Sequence, residues 1–143
     1  MMEKVEGMYL EDMNVGQSAS FAKTITEADI VMYAGVSGDT NPLHLDSEYA
    51  ETTIFKSRIA HGMLTAGLIS AVIGTKLPGP GAVYMSQSLA FKAPVRIGDT
   101  VRATVTVTEI NSEKARIRLA CDCRVKGKTV LDGESLIMVP RRP

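Results

Sequence analysis

The second half of the chain alternates between apolar and polar positions. In ARIRLACDCRVK the odd positions are Ala115, Ile117, Leu119, Cys121, Cys123 and Val125, while most even positions are charged: Arg116, Arg118, Asp122, Arg124 and Lys126. A period of two predicts a strand with one packed face and one wet face. TVRATVTVTEI repeats the pattern, with Val101, Ala103, Val105 and Val107 on one parity. VYMSQSLAFKAP and KTVLDGESLIMV predict two more strands, and GQSASFAKT an early one. IGD (97–99) and VKGK (125–128) predict turns.

The first half reads as helices joined by irregular chain. TITEADIVMYAGV opens on a capping signature, Thr26 followed three residues later by Asp29, so a helix is expected from Glu27 to Val36. Gly35 and Gly38 help to end it. DSEYAETT predicts a short second helix capped by Asp46 or Ser47. From Gly62 to Gly74 the sequence GMLTAGLISAVIG carries no charge on any face, and a helix that is apolar all round is expected to be buried. Ala66, Gly67, Ser70, Ala71 and Gly74 are small and admit close neighbours. PGPG (78–81) stops the helix. One half-wet antiparallel sheet and one apolar helix have a simple solution: an α+β fold in which the sheet curls around the helix. With no repeat, linker or low-complexity tract, the expectation is one domain over 1–143.

Composition narrows the functional classes. The chain has 143 residues, 45% hydrophobic and 22% charged, with zero formal net charge. Those values suit a globular domain and disfavour a nucleic-acid partner held by bulk positive charge. No basic start followed by an apolar run marks a signal segment, and the apolar stretch 62–74 is too short to span a bilayer. Cys121 and Cys123 are two apart on one strand face, poorly placed to bridge each other. They read as reduced core residues of a cytoplasmic protein.

The chemistry concentrates in AGVSGDTNPLHLD (34–46). Asp39, Asn41, Pro42 and His44 lie within six residues, and Pro42 stiffens what is expected to be a loop. Asp, Asn and Pro are ordinary turn formers, and a lone histidine is often a satisfied core residue. However, Asp39 and His44 are near enough in sequence to converge on one point. A second marker, IAHGML, then puts Gly62 at the start of the apolar helix, where free N–H groups and the helix dipole can hold an oxyanion. An acid–histidine pair beside such a donor suits proton transfer next to a carbonyl. His61 is expected only to cap or pack. A metal set of Asp39, His44, Asp46 and His61 can be drawn, but its spacing matches no ligand motif, so no metal and no cofactor are expected.

YAGVSGDTNPLHLD and IAHGML resemble the MaoC-like hydratases, most closely the R-specific enoyl-CoA hydratases that feed polyhydroxyalkanoate synthesis. LPGPGAVYMSQSLAFKAPVRIGDTV resembles the segment that follows in that family, so the likeness runs from about Val15 to Val139. It implies the hot-dog fold, a long helix wrapped by an antiparallel sheet, and a homodimer joined edge to edge. It also implies that Asp39 and His44 activate a water that adds to C3 of a trans-2-enoyl-CoA, giving the (R)-3-hydroxyacyl-CoA. Asn41 would steady the loop, and the Gly62 N–H would hold the thioester oxygen. The helical stripe Ala66, Ser70 and Ile73, running on from Gly62, is the expected wall of the acyl pocket. The same residues would serve a (3R)-hydroxyacyl-carrier-protein dehydratase. A non-catalytic acyl-CoA-binding protein would have no need of the acid–base pair.

Overall fold

In a computed structural model, residues 5–143 are described. The expectation that no signal segment begins at Met1 bears partly on residues 1–4, outside the described residues. After a short 3-10 turn at Leu10–Asp12 come β1 (Ser18–Thr24), α1 (Glu27–Ser37), α2 (Pro42–Leu45), α3 (Ser47–Glu51) and α4 (Gly62–Thr75). The rest is β2 (Val83–Gln87), β3 (Ala90–Phe91), β4 (Thr100–Asn111), β5 (Arg116–Val125) and β6 (Lys128–Met138). The strands form one antiparallel sheet in the order β1-β4-β5-β6-β2, with β3 also paired to β6.

Period two in the sequence becomes one buried face. In register, Ala103 stands opposite Cys123, Val105 opposite Cys121 and Val107 opposite Leu119, and all six are buried. Leu68, Ile69, Val72 and Ile73 of α4 pack into the same cluster. Each such aliphatic side chain contributes about 1.5–3 kcal/mol on full burial. Both cysteines are free and buried. Burial pushes both thiols up, that of Cys123 to about 12. Among the described residues no helix is long and apolar enough to cross a membrane.

Local signals explain most boundaries. The Thr26 hydroxyl accepts from the Asp29 N–H while Asp29 accepts from the Thr26 N–H, a complete capping box. Asp46 accepts from the Tyr49 N–H and starts α3.

Three expectations need correction. The stretch 83–94 is not one strand: it breaks into β2 and β3 at Ser88, whose backbone crosses β6 at Gly133. A β-carbon on Gly133 would stand 1.8 Å from the Ser88 carbonyl oxygen, so only glycine fits there. The stretch after Asn41 is not loop throughout, because Pro42–Leu45 forms a helical turn. And α4 is not wholly buried. Met63, Gly67, Ser70 and Gly74 recur on one side and stay exposed, Met63 by 53%.

Candidate active site

α1 delivers the site. It closes on Gly38, a left-handed residue (φ 79°) whose N–H returns to the Ala34 carbonyl. Asp39 follows at once, its N–H donating to Ser37 Oγ at 3.1 Å. The Asn41 N–H donates to Asp39 Oδ1 at 3.3 Å, and Asn41 Oδ1 accepts from the Leu43 N–H at 3.0 Å. Asn41 is thus the N-cap of α2, with Pro42 in the first helical position where its missing N–H costs nothing. This single turn carries His44 inward until it is 7% exposed, while Asp39 stays at the surface.

The histidine tautomers follow from their partners. His44 Nδ1 lies 2.8 Å from the Ile59 carbonyl oxygen. A carbonyl only accepts, so Nδ1 carries a proton, and in the neutral ring Nε2 is then the acceptor. Arg58 braces the same turn, its Nε donating to the His44 carbonyl at 2.7 Å and its guanidinium gripping Glu27 at 2.8 Å. His61 Nε2 lies 2.9 Å from the Asp39 carbonyl oxygen and by the same reasoning is the protonated nitrogen. The two rings overlie each other with centroids 3.9 Å apart.

Asp39, His44 and His61 each bring one donor atom into a group within 4.8 Å. By count that trio could hold a metal. One nitrogen of each ring is already engaged by a main-chain carbonyl, which leaves His44 Nε2, His61 Nδ1 and the Asp39 carboxylate as the remaining donor atoms. Asp46, drawn into the same set on sequence grounds, instead caps α3.

Gly62 is the first residue of α4, and the His61 side chain before it caps none of the helix amides. That leaves N–H groups at the positive end of the helix open to a ligand. A cavity of about 450 Å³ opens there, lined by Asp39, His61, Gly62, Thr65, Phe91 and Leu131 among others. Ala66, Ser70 and Ile73 do not line this cavity. They run along a flank of α4 in which Ala66 is half-buried, Ser70 exposed and Ile73 buried. The α4 residues that line the cavity are Gly62, Met63 and Thr65, and the Thr65 hydroxyl is buried without a partner among the described residues. Sequence reasoning did not single out Thr65, and of the two roles expected of His61 its ring packs, against Tyr33 and His44, while its side chain does not cap α4. The adjacency of His61 to Gly62 was the available signal.

A family signature described as MaoC like domain matches residues 12–128. The chain belongs to the MaoC-like family. This MaoC-like chain is 63% identical over 134 residues to an (R)-specific enoyl-CoA hydratase of Rhodospirillum rubrum, an alignment spanning 94% of this chain and 93% of that protein. Among solved structures it is similar to the R-hydratase PhaJ1 of Pseudomonas aeruginosa in unliganded form, with TM-score 0.89 and 47% identity over 95% of this chain and 88% of that one. It is also similar to the (R)-hydratase of Aeromonas caviae involved in PHA biosynthesis, with TM-score 0.88 and 40% identity over 91% and 99% of the two chains. The sheet and α4 of this MaoC-like chain are therefore the hot-dog fold implied by its sequence motifs.

Proposed function

We propose that residues 1–143 form one (R)-specific enoyl-CoA hydratase domain, a hydro-lyase that adds water to a trans-2-enoyl-CoA. The observation that carries this is the convergence of the Asp39 carboxylate and the His44 ring beside the uncapped start of α4. The relatives named above as hydratases support it.

In this reading a water sits between the Asp39 carboxylate and His44 Nε2. Its oxygen attacks C3 of the enoyl group as one of its protons passes to the pair. The C2–C3 π electrons move through C1 onto the thioester oxygen, where the Gly62 N–H stabilises the charge. As that charge returns, C2 takes a proton from the pair on the same face, and (R)-3-hydroxyacyl-CoA forms. Water is the only co-reactant. Asn41 holds the relative places of Asp39 and α2.

A basic recess supports the CoA reading. Lys56, Arg58 and Arg96 line a second hollow. Their chain neighbours Phe55, Ile59 and Val95 line the cavity at Gly62, so the two spaces share a wall. Lys56 and Arg96 meet the CoA phosphates, and the pantetheine arm runs through the cavity to Gly62. The acyl tail then leaves in the other direction, along the α4 flank of Ala66, Ser70 and Ile73. A second copy of the chain covers that flank. The edge strand β2 exposes Val83, Tyr84 and Met85 and offers unpaired backbone groups, and pairing two such edges makes a homodimer. Two free thiols suit a reducing compartment, and we assign the cytoplasm.

The test is loss of enoyl absorbance with crotonyl-CoA and longer trans-2-enoyl-CoAs, chiral analysis of the product, and the matching crotonyl-pantetheine. Turnover to the (R)-alcohol with a lower KM for the CoA ester is expected. No turnover, or an (S)-product, refutes the reading.

A further inference from the structure

His61 is only 1% exposed, yet its side chain does not cap the helix it precedes. Its ring contacts Tyr33, with centroids 4.7 Å apart, and overlies His44 at 3.9 Å. Its Nε2–H is directed at the main-chain oxygen of Asp39, 22 residues away. Its other nitrogen, Nδ1, is buried and has no hydrogen-bond partner among the described residues. An unpaired buried acceptor is destabilising. If His61 served packing alone, a phenyl ring would fill the same space without that penalty.

We propose that His61 is a positioning residue for the hydration reaction, holding Asp39 by its main chain and His44 by its ring. The inference rests on the reading of Asp39 and His44 as the reacting pair. The Asp39 backbone has two anchors: its N–H on Ser37 Oγ and its C=O on His61 Nε2. Removing the second frees the peptide to rotate between Gly38, a residue of left-handed conformation, and Thr40. The carboxylate then drifts from His44 Nε2. His44 itself is fixed along its ring plane by the Ile59 carbonyl, and the His61 ring blocks motion out of that plane. One side chain therefore sets the separation of the acid from the base. A misplacement of about 1 Å in such a pair costs on the order of 10²-fold in rate.

The test compares His61→Phe with His61→Gln. Phe keeps the ring and loses the donor, whereas Gln loses the ring and keeps an N–H near the Nε2 position. His61→Phe is expected to retain or raise the thermal midpoint while kcat on crotonyl-CoA falls about 10²-fold and KM stays near wild type. His61→Gln is expected to recover much of that kcat despite a lower midpoint. Stability and activity thus move in opposite directions, which a packing role cannot produce. Wild-type turnover in His61→Phe, or equal losses in both variants, overturns the proposal. Long-range ¹H–¹⁵N spectra of the wild-type protein decide it even if a variant fails to fold: His61 must be protonated at Nε2, and an Nδ1–H tautomer overturns it. Asp39→Asn assayed alongside separates the two levels. An active Asp39→Asn removes the reading of the pair, while an inactive Asp39→Asn with an active His61→Phe removes only the role of His61.

Discussion

The ring of Phe91 lies across the α-carbon of Gly62, so closely that a β-carbon there would stand 2.6 Å from Phe91 Cε1. A side chain at position 62 would therefore have to displace the Phe91 ring. Phe91 is 55% exposed and its ring can swing away, so Gly62→Ala is expected to fold. The methyl and the displaced ring then crowd the helix amide that would receive the thioester oxygen. Loss of one such donor costs about 10²–10³-fold in kcat. Steady-state kinetics of Gly62→Ala beside its melting curve checks this, and a variant with normal kcat would remove the Gly62 N–H from the chemistry.

Asp39→Asn and His44→Gln should each lower hydration by about 10²–10⁴-fold with little change in fold. Asn keeps an oxygen for the Asn41 N–H and loses the charge. Gln keeps polarity at the site and loses the basic ring nitrogen. If the two groups act on one water, the double variant should lose far less than the product of the single losses. Full multiplicativity would mean that they act in separate steps.

The α4 flank makes a directional prediction about chain length. Ser70→Leu should lower kcat/KM on long enoyl chains relative to crotonyl-CoA, and Ile73→Ala should raise it, since each accommodated CH₂ is worth about 0.8 kcal/mol. Ile73 is also core, and its truncation can cost about 2–5 kcal/mol of stability. The ratio between substrates in one preparation cancels the fraction folded. If neither ratio moves, the tail leaves Gly62 by another route.

Alkaline stability should report Cys123. Burial raises its thiol to about 12, while an unfolded cysteine titrates near ~8.5. The folded state therefore holds the proton that the unfolded state loses. The stabilisation is complete below about pH 8.5 and is lost as pH rises toward 12. The urea midpoint of the wild type should fall between about pH 8 and pH 10.5. In Cys123→Ala, less stable at neutral pH because of its cavity, the midpoint should fall less over that range. Parallel curves would show that other groups carry the alkaline limb.

Short-range signals made much of this molecule legible. Thr26 and Asp29 announced α1 because both halves of a capping box lie within four residues. Strict alternation announced β4 and β5 because the two faces of each strand meet different solvents. The Asp39–His44 cluster was visible because one turn of chain brings both to the same place. The helical turn at α2 was also written locally, in the Asn41 cap and Pro42, but the eye reads Asn-Pro as a break. What escaped depended on closure of distant chain. His61 meets Asp39 across 22 residues, and the crossing of Ser88 over Gly133 is set by 45. The open side of α4 was hidden for a different reason: Gly, Ala, Ser and Met give the solvent side and the core side nearly the same hydropathy.

Both imidazoles of the site owe their proton placement to peptide oxygens, His44 to that of Ile59 and His61 to that of Asp39. Any amino acid at position 59 offers the same oxygen. The protonation pattern of the site is therefore insulated from side-chain change at Ile59 and exposed to change in the path of the main chain. An insertion or a proline that bends residues 57–60 would reset the tautomer of His44 while leaving every side chain of the pair intact.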